Sequence, residues 1–138
     1  MANILFIGVG TMGYPMATNL IKNKHNLNLY DPYALKKNIK NLKSLGCIKI
    51  ESLKNIPNNL DFVITMLPTG KEVKEVTIGN HGIVNYTKDN FIYIDMSTIL
   101  PKDSIEISQQ LKKKGISMLD APVARLVQNA IDGTLLIL

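Results

Sequence analysis

The sequence has no tryptophan and a single cysteine, Cys47, in 138 residues. One cysteine excludes an internal disulfide and fits a reducing compartment. It lies beside Ile48 and Ile50, which suits buried strand filler better than a nucleophile. No apolar run approaches the ~20 residues of a membrane span, and no signal-peptide pattern precedes the first strand-like segment. A cytoplasmic protein without a membrane partner is the expectation. Acidic residues are outnumbered, 11 against 16 basic ones, for a net charge of +5 at pH 7. The lysines are spread out (Lys36, Lys37, Lys40, Lys43; then Lys112, Lys113, Lys114), and aromatic residues do not interleave with them. That pattern suits a solvated basic face, not a nucleic-acid surface. The nucleic-acid reading rests on charge alone and predicts steep salt dependence of binding. No internal repeat, low-complexity segment or metal-ligand cluster stands out.

What is present is ordinary in bulk and specific in one place. Hydrophobic residues at 46% and charged residues at 20% fit one soluble domain with one core. The specific place is Gly8-Val9-Gly10-Thr11-Met12-Gly13. Before it, Asn3-Ile4-Leu5-Phe6-Ile7 is an apolar run suited to a parallel strand buried on both faces. After it, Met12, Met16, Ala17, Leu20 and Ile21 recur at helical spacing, and Pro15 falls early enough in the helix to be tolerated. The glycines therefore occupy a strand-to-helix turn, the context in which G-x-G-x-x-G binds a dinucleotide. Gly8 would permit the tight turn, Gly10 the close approach of a pyrophosphate, and Gly13 the packing of helix on strand. The first helical amides lack internal partners and attract an anion. A second strand, 27–30, delivers Asp31 to the same edge. A carboxylate there accepts from a ribose 2′-hydroxyl and repels a 2′-phosphate, which favours NAD over NADP. Lys36 and Lys37 weaken that preference. The other reading of Asp31 is an Asp-Pro turn that only opens the next helix.

Further elements alternate along the chain. A helix is predicted over 32–45, a strand over 48–50, a short helix over 52–55, a strand over 61–67 and a helix over 71–76. A strand over 91–94, a helix from Pro101 to a stop at Gly115, and a strand over 116–119 follow, with an Asp132-Gly133 turn before a last apolar run. The fold class is α/β: a Rossmann-type, doubly wound, mostly parallel sheet with helices on both faces. Right-handed crossovers bring the carboxyl ends of its strands to one rim. Met66, Leu67 and Pro68 then fall beside the glycine turn, on the nicotinamide side. Ser97 and Thr98 end another strand at that rim, where a hydroxyl can cap a turn or bind a ribose or substrate. His25 is expected at a helix end on the opposite edge, and His81 as a solvated turn residue.

Several segments together resemble the 3-hydroxyisobutyrate dehydrogenase (β-hydroxyacid dehydrogenase) family. They are residues 8–20, Thr65-Met66-Leu67-Pro68, Asp95-Met96-Ser97-Thr98-Ile99, Asp120-Ala121-Pro122-Val123 and Gly133-Thr134-Leu135, in the family's order and spacing. The resemblance implies hydride transfer between NAD(H) and a small β-hydroxyacid or semialdehyde. It implies backbone contacts to cofactor from Thr11 and Met12, an adenosine-ribose contact from Asp31, and nicotinamide-side contacts from Leu67 and Thr98. Two departures stand out. The family's Ser-Gly-Gly after Asp-x-Pro-Val is here Ala124-Arg125-Leu126, which removes the carboxylate cradle and offers the planar donor fork of Arg125 to an anionic head group. That variant looks like the branch containing sulfolactaldehyde reductase, where an arginine takes a sulfonate. The family also continues into an all-helical domain that carries a catalytic lysine and exchanges helices between subunits. Residues 1–138 are thus expected to be the dinucleotide-binding domain alone, cut off near its last strands, with no catalytic residue of its own and little or no turnover. A full-length version is expected to be a homo-oligomer. The alternative is a stand-alone dinucleotide-binding module without chemistry.

Overall fold

A computed structural model describes residues 1–88 and 90–138 of the chain. Six strands and four helices follow one another, β1 (Asn3–Ile7), α1 (Gly13–Lys22), β2 (Asn26–Tyr30), α2 (Lys36–Ser44), β3 (Ile48–Lys49), β4 (Phe62–Thr65), α3 (Gly70–Ile78), β5 (Ile92–Asp95), α4 (Pro101–Lys112) and β6 (Ser117–Asp120), and the strands build one sheet. Single turns of 3-10 helix at Leu53–Asn55 and Ile83–Asn85 fill the connections into β4 and β5. The sheet order is β3-β2-β1-β4-β5-β6 and every neighbouring pair is parallel. This is the doubly wound Rossmann arrangement, and its order reverses between β1 and β4.

The pleat of β1 explains the two layers. Ile4 and Phe6 point to one face, where they meet Met16, Ala17, Leu29 and Leu42. Leu5 and Ile7 point to the other, with Val63, Val73, Tyr93, Ile107 and Leu111. Each aliphatic side chain so buried contributes about 1.5–3 kcal/mol, so a central strand apolar on both faces is the part that most strongly fixes the register.

Three departures from the sequence expectations have local causes. The helix predicted over 32–45 starts only at Lys36, because the Asp31 carboxylate takes the Tyr33 amide at 2.9 Å and holds a turn there. The strand predicted over 61–67 is shorter, Phe62–Thr65, though Met66 N still donates to Ile7 O at 2.9 Å. Beyond β6 the chain forms β7 (Val123–Ala124), α5 (Val127–Asp132) and β8 (Leu136–Ile137), with β7 and β8 antiparallel in a separate small sheet. α5 was not foreseen; Asn19 of α1 anchors it by donating to Ala130 O at 2.7 Å. Among the described residues no helix is long and apolar enough to cross a membrane.

Candidate dinucleotide-binding site

The site is built where the sheet order reverses, because the chain leaves β1 and β4 in opposite directions and opens a crevice between their carboxyl ends. The glycine turn occupies the β1 side. Gly8 has φ +100° and its amide donates to Tyr30 O at 3.2 Å. A Cβ on Gly8 would strike Met66 O, and one on Gly13 would strike Gly8 O and come within 3.3 Å of the Phe6 ring. These two glycines serve the fold. Gly10 differs: it is exposed, and a Cβ there would meet nothing within 4 Å among the described residues. Protein does not require its smallness, so space beyond it is left for something else. The helix then starts without help from side chains. Among the described residues no side chain caps α1, and no acid stands in its first turn. Thr11 is exposed and Met12 half-buried at this amino end, which carries positive dipole and unpaired amides.

Asp31 sits at the end of β2, partly buried, and both of its oxygens are engaged. Oδ2 accepts from Val9 N at 2.8 Å, and Oδ1 accepts from Tyr33 N. The turn-forming and rim-facing readings of Asp31 thus meet in one residue, which braces the glycine turn while keeping lone pairs for further donors. Asn38 of α2, almost fully buried, completes the brace by donating to Val9 O at 3.3 Å. Asn38 was missed in the sequence, where an asparagine amid lysines looks like solvated surface.

The β4 side carries Met66 and Leu67, half-buried, and Pro68, exposed. The end of β5 lies alongside, and Thr98 is exposed there. Ser97 is placed otherwise than expected of a substrate contact: it is fully buried, and its Oγ accepts from Leu67 N at 2.9 Å. Beneath it, Asp95 Oδ1 accepts from Ser97 N at 3.0 Å and from Thr65 Oγ1 at 2.9 Å, and Tyr93 OH lies 2.6 Å from the same Thr65 oxygen. Burial raises the Asp95 carboxyl above its usual value, against the lowering effect of its hydrogen bonds from Ser97 and Thr65. Burial likewise pushes the Tyr93 phenol well up.

A family described as the NAD binding domain of 6-phosphogluconate dehydrogenase matches residues 3–138. The chain belongs to this family. This NAD-binding domain is similar to 3-sulfolactaldehyde reductase of Escherichia coli K12, with 39% identity over 138 residues, 100% of this chain and 46% of that protein. It is also similar to 3-hydroxyisobutyrate dehydrogenase of Pseudomonas aeruginosa, with 35% identity over 135 residues, 98% of this chain and 45% of that protein. Among solved structures, 3-hydroxyisobutyrate dehydrogenase of Mycobacterium tuberculosis with L-serine superimposes with a TM-score of 0.88 at 31% identity, covering 99% of this chain and 45% of that one. The chain therefore spans a little under half the length of these relatives.

In this domain Arg125 lies between β7 and α5, exposed, with φ +89°. Only one other non-glycine described residue, Lys24, has positive φ. The conformation accounts for the glycine of the resembling Ser-Gly-Gly pattern, since an L side chain there costs about 1–2 kcal/mol. The arginine is held in a small frame. Its Nη1 donates to Thr134 O at 3.1 Å, Asn129 Oδ1 accepts from Leu126 N, and Asn129 Nδ2 donates to Thr134 Oγ1. Asn129 is a second residue that sequence reasoning did not single out as a support.

The remaining candidates lie elsewhere. His25 Nδ1 accepts from Ala2 N at 3.0 Å, at the amino edge of the sheet. His81 is exposed beyond the end of α3, with Tyr86 OH 3.3 Å from its Nδ1. Cys47 is buried and burial pushes its thiol up to about 11, so it stays protonated and unreactive at neutral pH.

Proposed function

We propose that this chain is the cofactor-binding part of a β-hydroxyacid dehydrogenase that moves hydride between NAD(H) and a small anionic hydroxyacid or semialdehyde. The observation that carries the reading is the open space at Gly10 at the reversal point, beside an uncapped helix start and the Asp31 carboxylate. These features fit a dinucleotide: a slot for the diphosphate, amides facing it, and an acceptor for a ribose hydroxyl. Gly10, Thr11 and Met12 seat the diphosphate on a turn whose shape Gly8 and Gly13 maintain, Asp31 takes the adenosine ribose, and Met66, Leu67, Pro68 and Thr98 line the nicotinamide end. NAD supplies the centre at which hydride is taken or given. Arg125 holds the substrate's carboxylate or sulfonate with its donor fork. Carbonyl reduction also needs a general acid. Neither His25 nor His81 lies at the rim to serve as one, and we read these 138 residues as binding cofactor without turning substrate over by themselves. The whole protein is read as cytoplasmic and homo-oligomeric.

Titration of the chain with NADH and NADPH tests the cofactor. NADH is expected to bind more tightly. Asp31→Ala removes a brace of the glycine turn as well as the ribose acceptor, so it lowers affinity for both. The decisive quantity is the ratio: the preference for NADH is expected to shrink by about tenfold, one lost hydrogen bond to a charged acceptor plus the relieved repulsion of the 2′-phosphate. An unchanged ratio would leave Asp31 with bracing alone.

Arg125→Gly separates backbone from head-group chemistry. Relief of the positive φ is expected to stabilise the chain by about 1 kcal/mol, read as a raised midpoint in urea. In a version continuing past residue 138, the same change should raise KM for anionic semialdehydes. A raised midpoint with an unaltered KM would leave Arg125 without a head-group role.

A further inference from the structure

The carboxyl ends of β4 and β5 are tied by a buried polar chain that converges on one carboxyl group. Tyr93 OH contacts Thr65 Oγ1 at 2.6 Å, Thr65 donates to Asp95 Oδ1 at 2.9 Å, and Ser97 N donates to the same oxygen at 3.0 Å. Thr65, Tyr93, Asp95 and Ser97 are all 0% exposed. Asp95 Oδ2 has no partner among the described residues. A carboxyl buried with one oxygen unpaired is costly, and apolar residues of similar shape would hold these strands together at least as well. Holding the strands together does not explain it.

The chain leads instead to Leu67. Met66 N still follows the sheet and donates to Ile7 O. One residue later, Leu67 N leaves β1 and donates to Ser97 Oγ at 2.9 Å. Pro68 has no amide to offer, and α3 begins at Gly70. Ser97 thus sets the direction in which the rim turn leaves β4. Ser97 is in turn held by Asp95 through its backbone amide.

We propose that Asp95 is a positioning residue for the nicotinamide end of the dinucleotide, acting through Ser97 on the Leu67–Pro68 turn. The proposal rests on the dinucleotide reading given above. Asp95 touches neither cofactor nor substrate. Its work is to hold Ser97 Oγ where the Leu67 amide needs an acceptor, in a network whose members fix one another.

The test is calorimetric titration of the 138-residue chain with NADH and with ADP-ribose, which lacks the nicotinamide. Wild-type binding of both ligands is measured first; binding of neither would sink the dinucleotide reading itself. Given binding, Ser97→Ala and Asp95→Ala are expected to weaken NADH by about fivefold to tenfold, the scale of one lost buried hydrogen bond, with ADP-ribose within about twofold. Asp95→Asn keeps an acceptor at the Oδ1 position and should restore NADH affinity. Equal losses for the two ligands, or an unaltered NADH affinity in Ser97→Ala, would overturn the proposal. Should Asp95→Ala fail to fold, Ser97→Ala carries the test, since it removes only the oxygen that Leu67 uses.

Discussion

Gly10→Val is expected to weaken NADH binding by about a hundredfold or more while shifting the melting temperature by no more than a few degrees. The asymmetry follows from where the added atoms go. A Cβ at Gly10 meets no atom of the described residues within 4 Å, and the residue is exposed, so the apo fold gains no clash there. Its φ lies outside the positive range that disfavours side chains. The valine methyls project into the space that the amides of the α1 start face, where a diphosphate has to come within hydrogen-bond distance of the backbone. A branched side chain keeps the phosphates away, and the helix dipole weakens with distance. Far-UV dichroism together with an NADH titration checks both halves. A variant that still binds NADH like the wild type would place the diphosphate elsewhere and remove the main support for the functional reading.

The parts of this site that the sequence discloses are those that local pattern determines. The glycine spacing, the apolar run before it and the helical period after it are contiguous, so strand, turn and helix are legible without any tertiary knowledge. Asp31 is legible from its distance along the chain, because one helix returning across the sheet has a nearly fixed length. What the pattern does not disclose are the partners. That Asp31 braces Val9 from one side and Asn38 from the other depends on β2 and α2 converging on the turn. Ser97 shows the same limit. A serine at a strand's end can face the rim or the interior, and only the adjoining β4 tail decides that it turns inward to Leu67. α5 has six residues, too few for a period to emerge or for the helix to stand alone. Its support comes from Asn19, more than a hundred residues earlier. The positive φ of Arg125 is equally invisible, because an arginine carries no sign of a conformation suited to glycine.

Gly8→Ala should fail in the opposite way, with stability lost and not the seat of the ligand. Two costs add. The backbone at Gly8 has φ +100°, which a side chain resists by about 1–2 kcal/mol. The new Cβ also strikes Met66 O and comes within 2.9 Å of Leu67 Cδ2. The leucine can rotate away, but the carbonyl cannot. It belongs to a chain fixed by the Ile7↔Thr65 register and by the Met66 N to Ile7 O bond. Relief therefore requires β1 and β4 to part at the reversal point, which strains the centre of the sheet. A loss of about 3–5 kcal/mol is expected, a large share of the 5–15 kcal/mol that a domain commonly has. Urea denaturation measures it. Saturating NADH should then recover part of the loss, about 2.7 kcal/mol at a concentration a hundred times the dissociation constant. Gly10→Val should show no such recovery, since its deficit lies in the ligand. Two glycines, two residues apart in one turn, are thereby distinguished by whether cofactor rescues the variant. If Gly8→Ala melts with the wild type, the tight approach of the turn to Met66 is wrong, and with it the crevice between β1 and β4.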